Sequence, residues 1–267
     1  MRQISIVPYA GLANRMRAIS SGIYIAKKLG ASANIYWKRE KNCYAQFNDL
    51  FNPIPVPGVR VTEISGFNLS LLRSTKKNLY IPSLLRRFIY NTQLTNFNIK
   101  TDGDIFSKLM PDGSIYLCSC NSMSNHYSMR EIFHPQKLVI TSIDKITAKF
   151  PEHVTGIHIR RTDNVKAIQN NSVEDFKKRI DKALTENTKM KFYLATDDII
   201  VKQELLKTYE GHIITNNAVL NRNSSEGLIN AVIDLWCLSR TNHIIGSFYS
   251  SYSEIAAEIG GIKLEIL

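Results

Sequence analysis

The chain lacks any long run of apolar residues. None of its 267 residues belongs to a stretch that approaches the roughly 18 consecutive apolar residues of a membrane-spanning helix. The beginning of the sequence, residues 1–7, is too short and too quickly interrupted by polar side chains for a signal peptide. We therefore expect a soluble, cytoplasmic protein.

Cysteine is scarce as well. The four cysteines lack the paired spacing of a zinc site, and they are Cys43, Cys118, Cys120 and Cys237. Cys118 and Cys120 are two residues apart in a predicted strand, so both thiols are expected on one face. Because free cysteine is commonly buried, we expect buried thiols rather than metal ligands.

Two familiar phosphate-binding loops are missing. The sequence contains no GxxxxGK[ST] loop, and the segment Gly11-Leu-Ala-Asn14-Arg15 has only one of the three glycines of a dinucleotide fingerprint. This segment still joins a predicted strand to a predicted helix, where the first helix amides favour anions. Asn14 and Arg15 are therefore candidate ligand contacts. The alternative is a plain tight turn with a capping asparagine.

Acidic residues are absent between Glu63 and Asp102. Residues 1–140 hold 18 lysine and arginine residues against 7 acidic residues, whereas residues 141–267 hold 16 of each. The acid-free segment mixes apolar residues with the basic residues Arg73, Lys76, Lys77, Arg86, Arg87 and Lys100. Such a segment is typical of a surface that contacts an anionic membrane, an acidic acceptor or nucleic acid. A solvated face over a core is the alternative.

The sequence does contain a regular alternation of strands and helices. In the second half, strands are predicted at 154–160, 191–195, 212–215, 243–246 and 262–266, with helices at 173–187, 198–209, 225–239 and 251–259. The first half gives strands at 4–8, 33–37 and 114–118 and a helix at 14–29, but residues 42–110 show no clear period. Strands separated by helices pair in parallel, which predicts an α/β protein with domains 1–145 and 146–267.

The most informative motif is His158-Ile-Arg160-Arg161-Thr-Asp163, at the end of an apolar strand. In a parallel sheet, ligands bind at the carboxyl ends of the strands. An arginine donates two parallel hydrogen bonds to a phosphate, each worth roughly 1.5–3 kcal/mol. Adjacent strand residues point to opposite faces, so one of the two arginines is expected to reach the ligand. The alternative is a surface strand end with two salt bridges.

Polar residues also gather at other junctions between strands and helices. Thr196, Asp197 and Asp198 follow the strand at 191–195, where the alternative to a ligand contact is a helix cap formed by Thr196 or Asp197. Ser250 and Ser251 precede the helix at 251–259, whose free amides favour a phosphate. Ser251 and Glu254 have the spacing of a capping box.

Asp234 is predicted to lie among apolar residues of a helix, next to Ile233 and Leu235. A buried carboxylate without a partner is costly, so Asp234 requires one. The partner is either a ligand or a cation in a buried salt bridge, and the sequence leaves both possibilities open.

Together these motifs resemble those of the α1,6-fucosyltransferases, including the nodulation fucosyltransferases of rhizobia. The segment from His158 to Asp163 is similar to the HxRRxD motif of that family. In the same order, residues 195–198, 232–235 and 247–251 are similar to the second and third family motifs. The loop from Gly11 to Arg15 resembles the one that opens many bacterial members, although Ala13 stands where many of them have glycine. Residues 40–130 match no motif.

The resemblance implies a GT-B-like enzyme, with two Rossmann-like domains whose parallel sheets face each other across a cleft. The first domain lies on the acceptor side, and the second binds the nucleotide sugar. The implied reaction is an inverting, metal-independent transfer of fucose from GDP-fucose to a glycan hydroxyl. The chain is too short for the extra domains of the animal core-fucosylating enzymes.

The resemblance also implies roles for individual residues. Arg160 binds the β-phosphate of the donor, supported by Arg161 and Asp163, while Ser250 or Ser251 contacts the diphosphate. Guanine is bound by His158 and Asp234. Asp197 and Asp198 lie near the nucleotide or hold the site together. Asn14, Arg15 and Thr196, which lie at junctions between strands and helices, are the other candidate residues of the nucleotide site.

The acceptor is less well defined than the donor. We expect a glycan or lipid-linked glycan of bacterial surface polysaccharide or glycoconjugate assembly, with the basic half in peripheral contact with the inner face of the membrane. The candidate catalytic bases are Glu40, Asp49 and Glu63. Asp102 and Asp104 have metal-type DxD spacing, although a polar turn is the favoured interpretation.

Three alternatives to a fucosyltransferase stay open. The chain could be a transferase that uses another GDP-sugar, a noncatalytic sugar-nucleotide-binding protein, or a basic nucleic-acid-binding protein. The last of these lacks a recognised DNA or RNA module and leaves the neutral second half unexplained, so we expect no nucleic-acid partner.

Overall fold

A computed structural model describes residues 2–64, 83–95, 105–109, 113–161, 172–218 and 221–267. The chain divides into two compact units, Met1–His134 and Pro135–Leu267. The boundary predicted after residue 145 would cut the helix Lys137–Thr147, which packs against the helix Ser225–Ser239 of the second unit. The division therefore precedes this helix, which belongs with the second half.

The first unit is built on a parallel sheet. Its strands are β1 (Gln3–Pro8), β2 (Ser32–Lys38), β3 (Val59–Ile64), β4 (Thr92–Thr95) and β5 (Ile115–Ser119). The strand order is β3-β2-β1-β5-β4. Its described helices are α1 (Leu12–Lys28), α2 (Phe47–Leu50), α3 (Ser83–Ile89) and α4 (Met129–Ile132), and Ile105–Lys108 forms a 3-10 helix.

The centre of this sheet follows the predicted apolar strands. Ile4 and Ile6 of β1 are fully buried, and Gly22 of α1 lets the helix approach them closely. A Cβ added at Gly22 would lie 2.7 Å from the Cδ1 atom of Ile6. The two edge strands were not predicted, because β3 is only partly buried and β4 is four residues long. Short or half-exposed strands leave a weak period in the sequence.

The second unit is also built on a parallel sheet. Its strands are β6 (Val154–Ile159), β7 (Lys191–Thr196), β8 (Ile213–Thr215), β9 (His243–Gly246) and β10 (Lys263–Ile266). Its described helices are α5 (Lys137–Thr147), α6 (Val173–Glu186), α7 (Ile199–Thr208), α8 (Ser225–Ser239) and α9 (Ser251–Gly260). The strand order is β10-β9-β6-β7-β8.

This strand order fixes where a ligand site is expected in the second unit. From β6 the chain builds outward through β7 and β8, and then crosses back to add β9 on the other side of β6. Ligands bind at such a switch point, beyond the carboxyl ends of the strands. The fold class is the predicted one: α/β, with two parallel, Rossmann-like sheets.

Three of the four cysteines are buried, as expected for thiols that bind no metal. None of the four cysteines forms a disulfide bond; Cys43, Cys118 and Cys237 are buried, whereas Cys120 is only partly buried. None of the described helices combines the length and the apolar character required to cross a membrane.

Candidate functional site

A single carboxylate gathers the arginine side chains at the ends of β6 and β7. The Nη1 atom of Arg160 lies 3.1 Å from Oδ2 of Asp197, and the guanidinium of Arg222 lies 3.4 Å from the same oxygen. The backbone N–H of Arg161 donates to Oδ1 of Asp197 at 2.8 Å. Both oxygens are thereby engaged, and two guanidiniums are brought to one place at the edge of the sheet.

The two consecutive arginines lie just beyond β6 rather than within it, since the strand ends at Ile159. Their amides point to opposite sides. The N–H of Arg160 donates to the Oγ atom of Ser247 beyond β9 at 2.9 Å, whereas that of Arg161 faces Asp197 beyond β7. The motif therefore connects all three strand ends at the switch point.

His158 is held in a buried and uncharged state. Its Nδ1 atom is hydrogen-bonded to the Oγ atom of Ser253 at 2.7 Å, and its ring lies 4.7 Å from the ring of Tyr252. Burial, with the nearby charge of Arg160, lowers the pKa of His158. Gly246 makes this contact possible, because a Cβ there would lie 2.5 Å from the Ser253 Oγ atom.

Asp234 has the partner that its burial requires. The hydroxyl of Tyr193 donates to Oδ1 of Asp234 at 2.6 Å. Burial raises the pKa of Asp234 to about 6, while the Tyr193 hydrogen bond and the charge of Lys202 act in the opposite direction. The structure thus supplies a tyrosine hydroxyl where the sequence suggested a ligand or a salt-bridge cation.

Asp197 and Asp198, the two acidic residues after β7, have different roles. Asp198 caps α7, since its Oδ1 atom accepts hydrogen bonds from the amides of Ile200 and Val201 at 2.9 and 3.2 Å. The Thr196 hydroxyl oxygen accepts from the Asp198 amide at 3.2 Å. The predicted cap by Thr196 or Asp197 is therefore wrong: Asp198 caps the helix, which leaves Asp197 for the arginines.

Helix α9 begins at Ser251, one residue earlier than a capping box between Ser251 and Glu254 would require. Ser250, not Ser251, is the N-cap residue, and its side chain forms no capping hydrogen bond. Ser251 is the first residue of the helix and not its cap, so the predicted capping box between Ser251 and Glu254 is wrong. Contact of Ser250 or Ser251 with a diphosphate stays a prediction.

The first unit gives Arg15 a structural environment. This fully buried arginine donates from Nε to the Ala10 carbonyl at 2.9 Å and from Nη1 to the Lys38 carbonyl at 2.6 Å. Its guanidinium also lies over the ring of Trp37, 4.7 Å from the centroid. These contacts hold Arg15 within the first unit, and its contact with a ligand stays a prediction.

Asn14 does not cap α1 as the turn interpretation suggested. Gly11 is the N-cap residue, because the helix begins at Leu12 and Asn14 lies in its first turn. The side-chain oxygen of Asn14 instead accepts a hydrogen bond from Arg17 at 2.9 Å. A nucleotide contact by Asn14 stays a prediction.

The candidate catalytic bases are engaged within the first unit. Glu40 lies 3.5 Å from Arg15, and Asp49 accepts a hydrogen bond from the Gln46 amide at 2.9 Å. Glu63 accepts from the Phe47 amide, and burial raises the pKa of Glu63.

Two of the predicted sites fall outside the residues that the structure describes. They are Asp163 of the arginine motif and the Asp102–Asp104 pair. Within the described ranges, no group of three or more His, Cys, Asp or Glu side chains is arranged to hold a metal ion.

Sequence reasoning missed three residues of this site, Tyr193, Arg222 and Ser253, and it gave no role to Ser247 of the third family motif. Tyr193 has the signature of an ordinary strand residue, and Arg222 lies in a polar loop before α8. The one available signal was the density of serines between β9 and α9. Arg160 and Arg222, which are 62 positions apart in the sequence, both reach Asp197 only because of the order of the strands.

Comparison with known proteins places the chain in a family. Residues 125–263, just over half of the chain, match the family model described as alpha-(1,6)-fucosyltransferase N- and catalytic domains. Among solved structures, the fucosyltransferase NodZ from Bradyrhizobium is 17% identical, covering 96% of this chain and 92% of that one, with a TM-score of 0.63.

Two further structures share the fold. A variant of Arabidopsis thaliana FUT1 in complex with GDP is 12% identical, with coverage of 100% of this chain and 70% of that one and a TM-score of 0.61. POFUT1 in complex with GDP-fucose is 10% identical, with coverage of 100% and 97% and a TM-score of 0.56. On the strength of the family match, this chain is a glycosyltransferase that belongs to the alpha-(1,6)-fucosyltransferase family.

Proposed function

We propose that this enzyme transfers fucose from GDP-fucose to a hydroxyl group of a glycan. The observation that carries the proposal is the pair of guanidiniums, from Arg160 and Arg222, around Asp197 at the carboxyl ends of β6 and β7. Arginine forks match phosphate oxygens in geometry and charge. The complexes of FUT1 with GDP and of POFUT1 with GDP-fucose support a GDP-linked donor.

The arginine cluster suits the charge that develops during transfer. As the bond between fucose and GDP breaks, negative charge accumulates on the leaving β-phosphate. Asp197 orients the Arg160 guanidinium in advance, and Ser247 ties the segment before α9 to the Arg160 amide. Donors fixed beforehand stabilise the transition state more than the bound substrate. Arg161 and Asp163 are proposed to support Arg160.

We propose that the reaction needs no metal ion. The positive charge that a divalent cation would supply comes from the guanidiniums and from the first amides of α9, with Ser250 and Ser251 near the diphosphate. Transfer is proposed to be inverting, so the acceptor hydroxyl attacks the face opposite GDP and a β-linked donor gives an α-linked fucoside.

The base of the donor is assigned to the buried pocket beside this cluster. His158 is neutral and fixed through Nδ1, so Nε2 is the atom proposed to meet the guanine. The Asp234 carboxylate is proposed to accept hydrogen bonds from guanine N–H groups. This pairing distinguishes guanine from uracil and adenine, which do not present the same donors.

A panel of nucleotides tests the donor assignment. Ligands that bind the folded state raise its thermal stability. GDP and GDP-fucose should stabilise the protein, whereas UDP and ADP should not, and Asp234→Ala should weaken guanine selectivity more than phosphate binding. Equal stabilisation by all nucleotides would overturn the assignment.

A second assay measures the release of GDP from GDP-fucose and from GDP-mannose. Release from GDP-fucose supports fucosyl transfer, release from GDP-mannose supports the use of another GDP-sugar, and no release from either identifies a noncatalytic binder.

A surface around α3 supports a proposal for the acceptor side. Leu84, Phe88 and Ile89 are 65%, 83% and 54% exposed, and Arg87 is exposed among them. Arg86 was assigned to this basic surface, but it is buried, with its guanidinium 4.9 Å from the ring centroid of Tyr116. Of the other basic residues assigned there, Arg73, Lys76, Lys77 and Lys100 lie outside the described residues.

We propose that this surface brings the enzyme to an anionic membrane, where it modifies a lipid-linked glycan of a bacterial surface polysaccharide. Exposed apolar side chains insert at the headgroup level, and each basic residue near the surface adds about 1 kcal/mol. The proposed location is the cytoplasmic face of the membrane.

Vesicle binding tests this surface. The Leu84→Ser/Phe88→Ser variant should lose affinity for vesicles of phosphatidylcholine and phosphatidylglycerol while its GDP affinity stays unchanged. Leu138→Ser is the matched control, because Leu138 is also 83% exposed but lies on α5 of the second unit. The membrane contact would be refuted if the parent protein did not bind these vesicles. It would also be refuted if Leu138→Ser lost as much vesicle binding as the double variant.

A further inference from the structure

Tyr193 and Asp234 form a buried hydrogen bond between β7 and α8. The tyrosine hydroxyl donates to the carboxylate at 2.6 Å, and the two residues are 0% and 7% exposed. The ring of Tyr193 also packs against Phe150, with 5.5 Å between the ring centroids. Because the ring is enclosed, its hydroxyl has a fixed position and gives the carboxylate of Asp234 a fixed orientation.

Tyr252 connects this pair to His158. Its ring lies 4.7 Å from the histidine ring, and its hydroxyl donates to the carbonyl of Ala231, which lies one turn before Asp234 on α8. The histidine and the carboxylate assigned to the donor base are thus linked by one aromatic side chain. Their relative position is set by packing rather than by surface loops.

The groups that interact electrostatically with Asp234 come from several elements. They are Tyr193 on β7, Lys202 on α7, Asn216 after β8, Cys237 on α8 and Tyr252 on α9. Burial raises the pKa of Asp234, and the Tyr193 hydrogen bond is the first of the contacts that lower it. Burial also raises the pKa of Tyr193, so the tyrosine stays a donor.

The protonation state of Asp234 decides what it can recognise. An ionised carboxylate only accepts hydrogen bonds, so it pairs with two N–H donors. Guanine offers N1–H and the 2-amino group, whereas hypoxanthine offers N1–H alone. A protonated carboxyl group becomes a donor itself and loses this match.

We propose that Tyr193 is a positioning residue for base recognition, whose hydroxyl orients Asp234, keeps it ionised, and thereby gives the site its preference for guanine over hypoxanthine. This inference rests on the proposed function, because it requires Asp234 to meet the donor base. Tyr193 itself does not contact the reacting atoms.

The Tyr193→Phe variant removes only the hydroxyl group. Calorimetry at pH values on both sides of the pKa of Asp234 gives the affinities for GDP and for inosine diphosphate. Their ratio measures the effect of the hydrogen bond between Tyr193 and Asp234 on base recognition. The parent should prefer GDP, and this preference should fall as the pH drops through the pKa of Asp234, about 6. In Tyr193→Phe the preference at neutral pH should fall about tenfold, because the carboxylate loses the charge-assisted hydrogen bond that orients it and favours its ionised form. The pH midpoint should move upward.

Tyr209→Phe is the matched control. The Tyr209 hydroxyl donates to Asp181 at 2.8 Å in the same unit, away from the arginine cluster, so its loss should change neither the preference nor the midpoint. An equal effect in this control would overturn the inference. The inference would also be overturned if folded Tyr193→Phe kept the parental preference for GDP over inosine diphosphate and the parental pH midpoint. This holds even if the parent binds GDP in preference to UDP, as the proposed function requires. A parent that binds GDP, UDP and ADP alike would instead refute the proposed function.

Should Tyr193→Phe fail to fold, Asp234→Asn supplies a second measurement. Asparagine still accepts the Tyr193 hydrogen bond but does not titrate near pH 6. The pH dependence of the GDP preference should disappear in Asp234→Asn. Its persistence would show that another group sets the preference and would overturn the inference.

Discussion

One carboxylate, that of Asp197, orients the charged side chains proposed to face the diphosphate. Arg160→Lys keeps the positive charge at this carboxylate but loses the planar fork, so transferase activity should fall at least about tenfold, or roughly 1.4 kcal/mol of transition-state stabilisation. Initial rates with GDP-fucose measure the loss. Arg161→Lys should be milder, because Arg161 reaches Asp197 through its backbone amide. A folded Arg160→Lys enzyme with parental turnover would contradict the phosphate role.

A second residue, Asp234, is expected to cost stability in return for recognition. Its pKa is raised from 3.8 to about 6, so ionisation disfavours the folded state as the pH rises from about 4 to about 6, and the cost is constant above that range. Asp234→Asn should therefore increase the free energy of unfolding at pH 7.5, by up to the order of 2–3 kcal/mol, with the gain vanishing near pH 4. Urea unfolding at both pH values measures this. An equal gain at both would contradict it.

The packing of α9 on β9 depends on the absence of a side chain at Gly246. In Gly246→Ala the new Cβ would lie 2.5 Å from Ser253 Oγ and 2.7 Å from Ser253 Cβ, so the helix must shift. Overpacking of this kind costs about 1–3 kcal/mol, and the hydrogen bond to His158 should be lost with it. Urea unfolding of Gly246→Ala, Ser253→Gly and the double variant measures the coupling. Additive effects would contradict the close contact.

The elements also show how far the sequence reaches. Buried strands such as β6 and β9 and helices such as α8 were predicted nearly to the residue, because burial on one or both faces leaves a clear period. The half-exposed β3 and the four-residue β4 left none.

The site follows the same division. Arg160 and His158 were singled out because they lie at the end of a clearly apolar strand, whereas the cap of α7 was assigned to neighbours of Asp198 rather than to Asp198 itself. The hydrogen bond between Tyr193 and Asp234 joins residues 41 positions apart and has no local signal.

Across the whole molecule, the excess of positive charge and the arginine cluster lie in different halves of the chain. The first half carries the excess of basic residues, while the arginine cluster lies in the half where acidic and basic residues balance. General attraction of anions therefore does not account for the proposed donor site, which depends on Arg160 and Arg222 at one strand edge. Surface attraction is screened by salt within about 10 Å at 0.1 M, whereas contacts in a partly buried cluster are screened less.

The local origin of this charge leads to a prediction for the complete enzyme. Transfer from GDP-fucose should continue at the parental rate in excess EDTA, because the guanidiniums and the α9 amides supply the positive potential at the leaving phosphate. Rates with and without EDTA, followed by addition of Mg²⁺ or Mn²⁺, measure this directly. Arg222→Gln should lower the EDTA-resistant rate, whereas Arg240→Gln should not, since Arg240 pairs with Asp144 on α5. A rate abolished by EDTA and restored by the metals would instead point to Asp102 and Asp104.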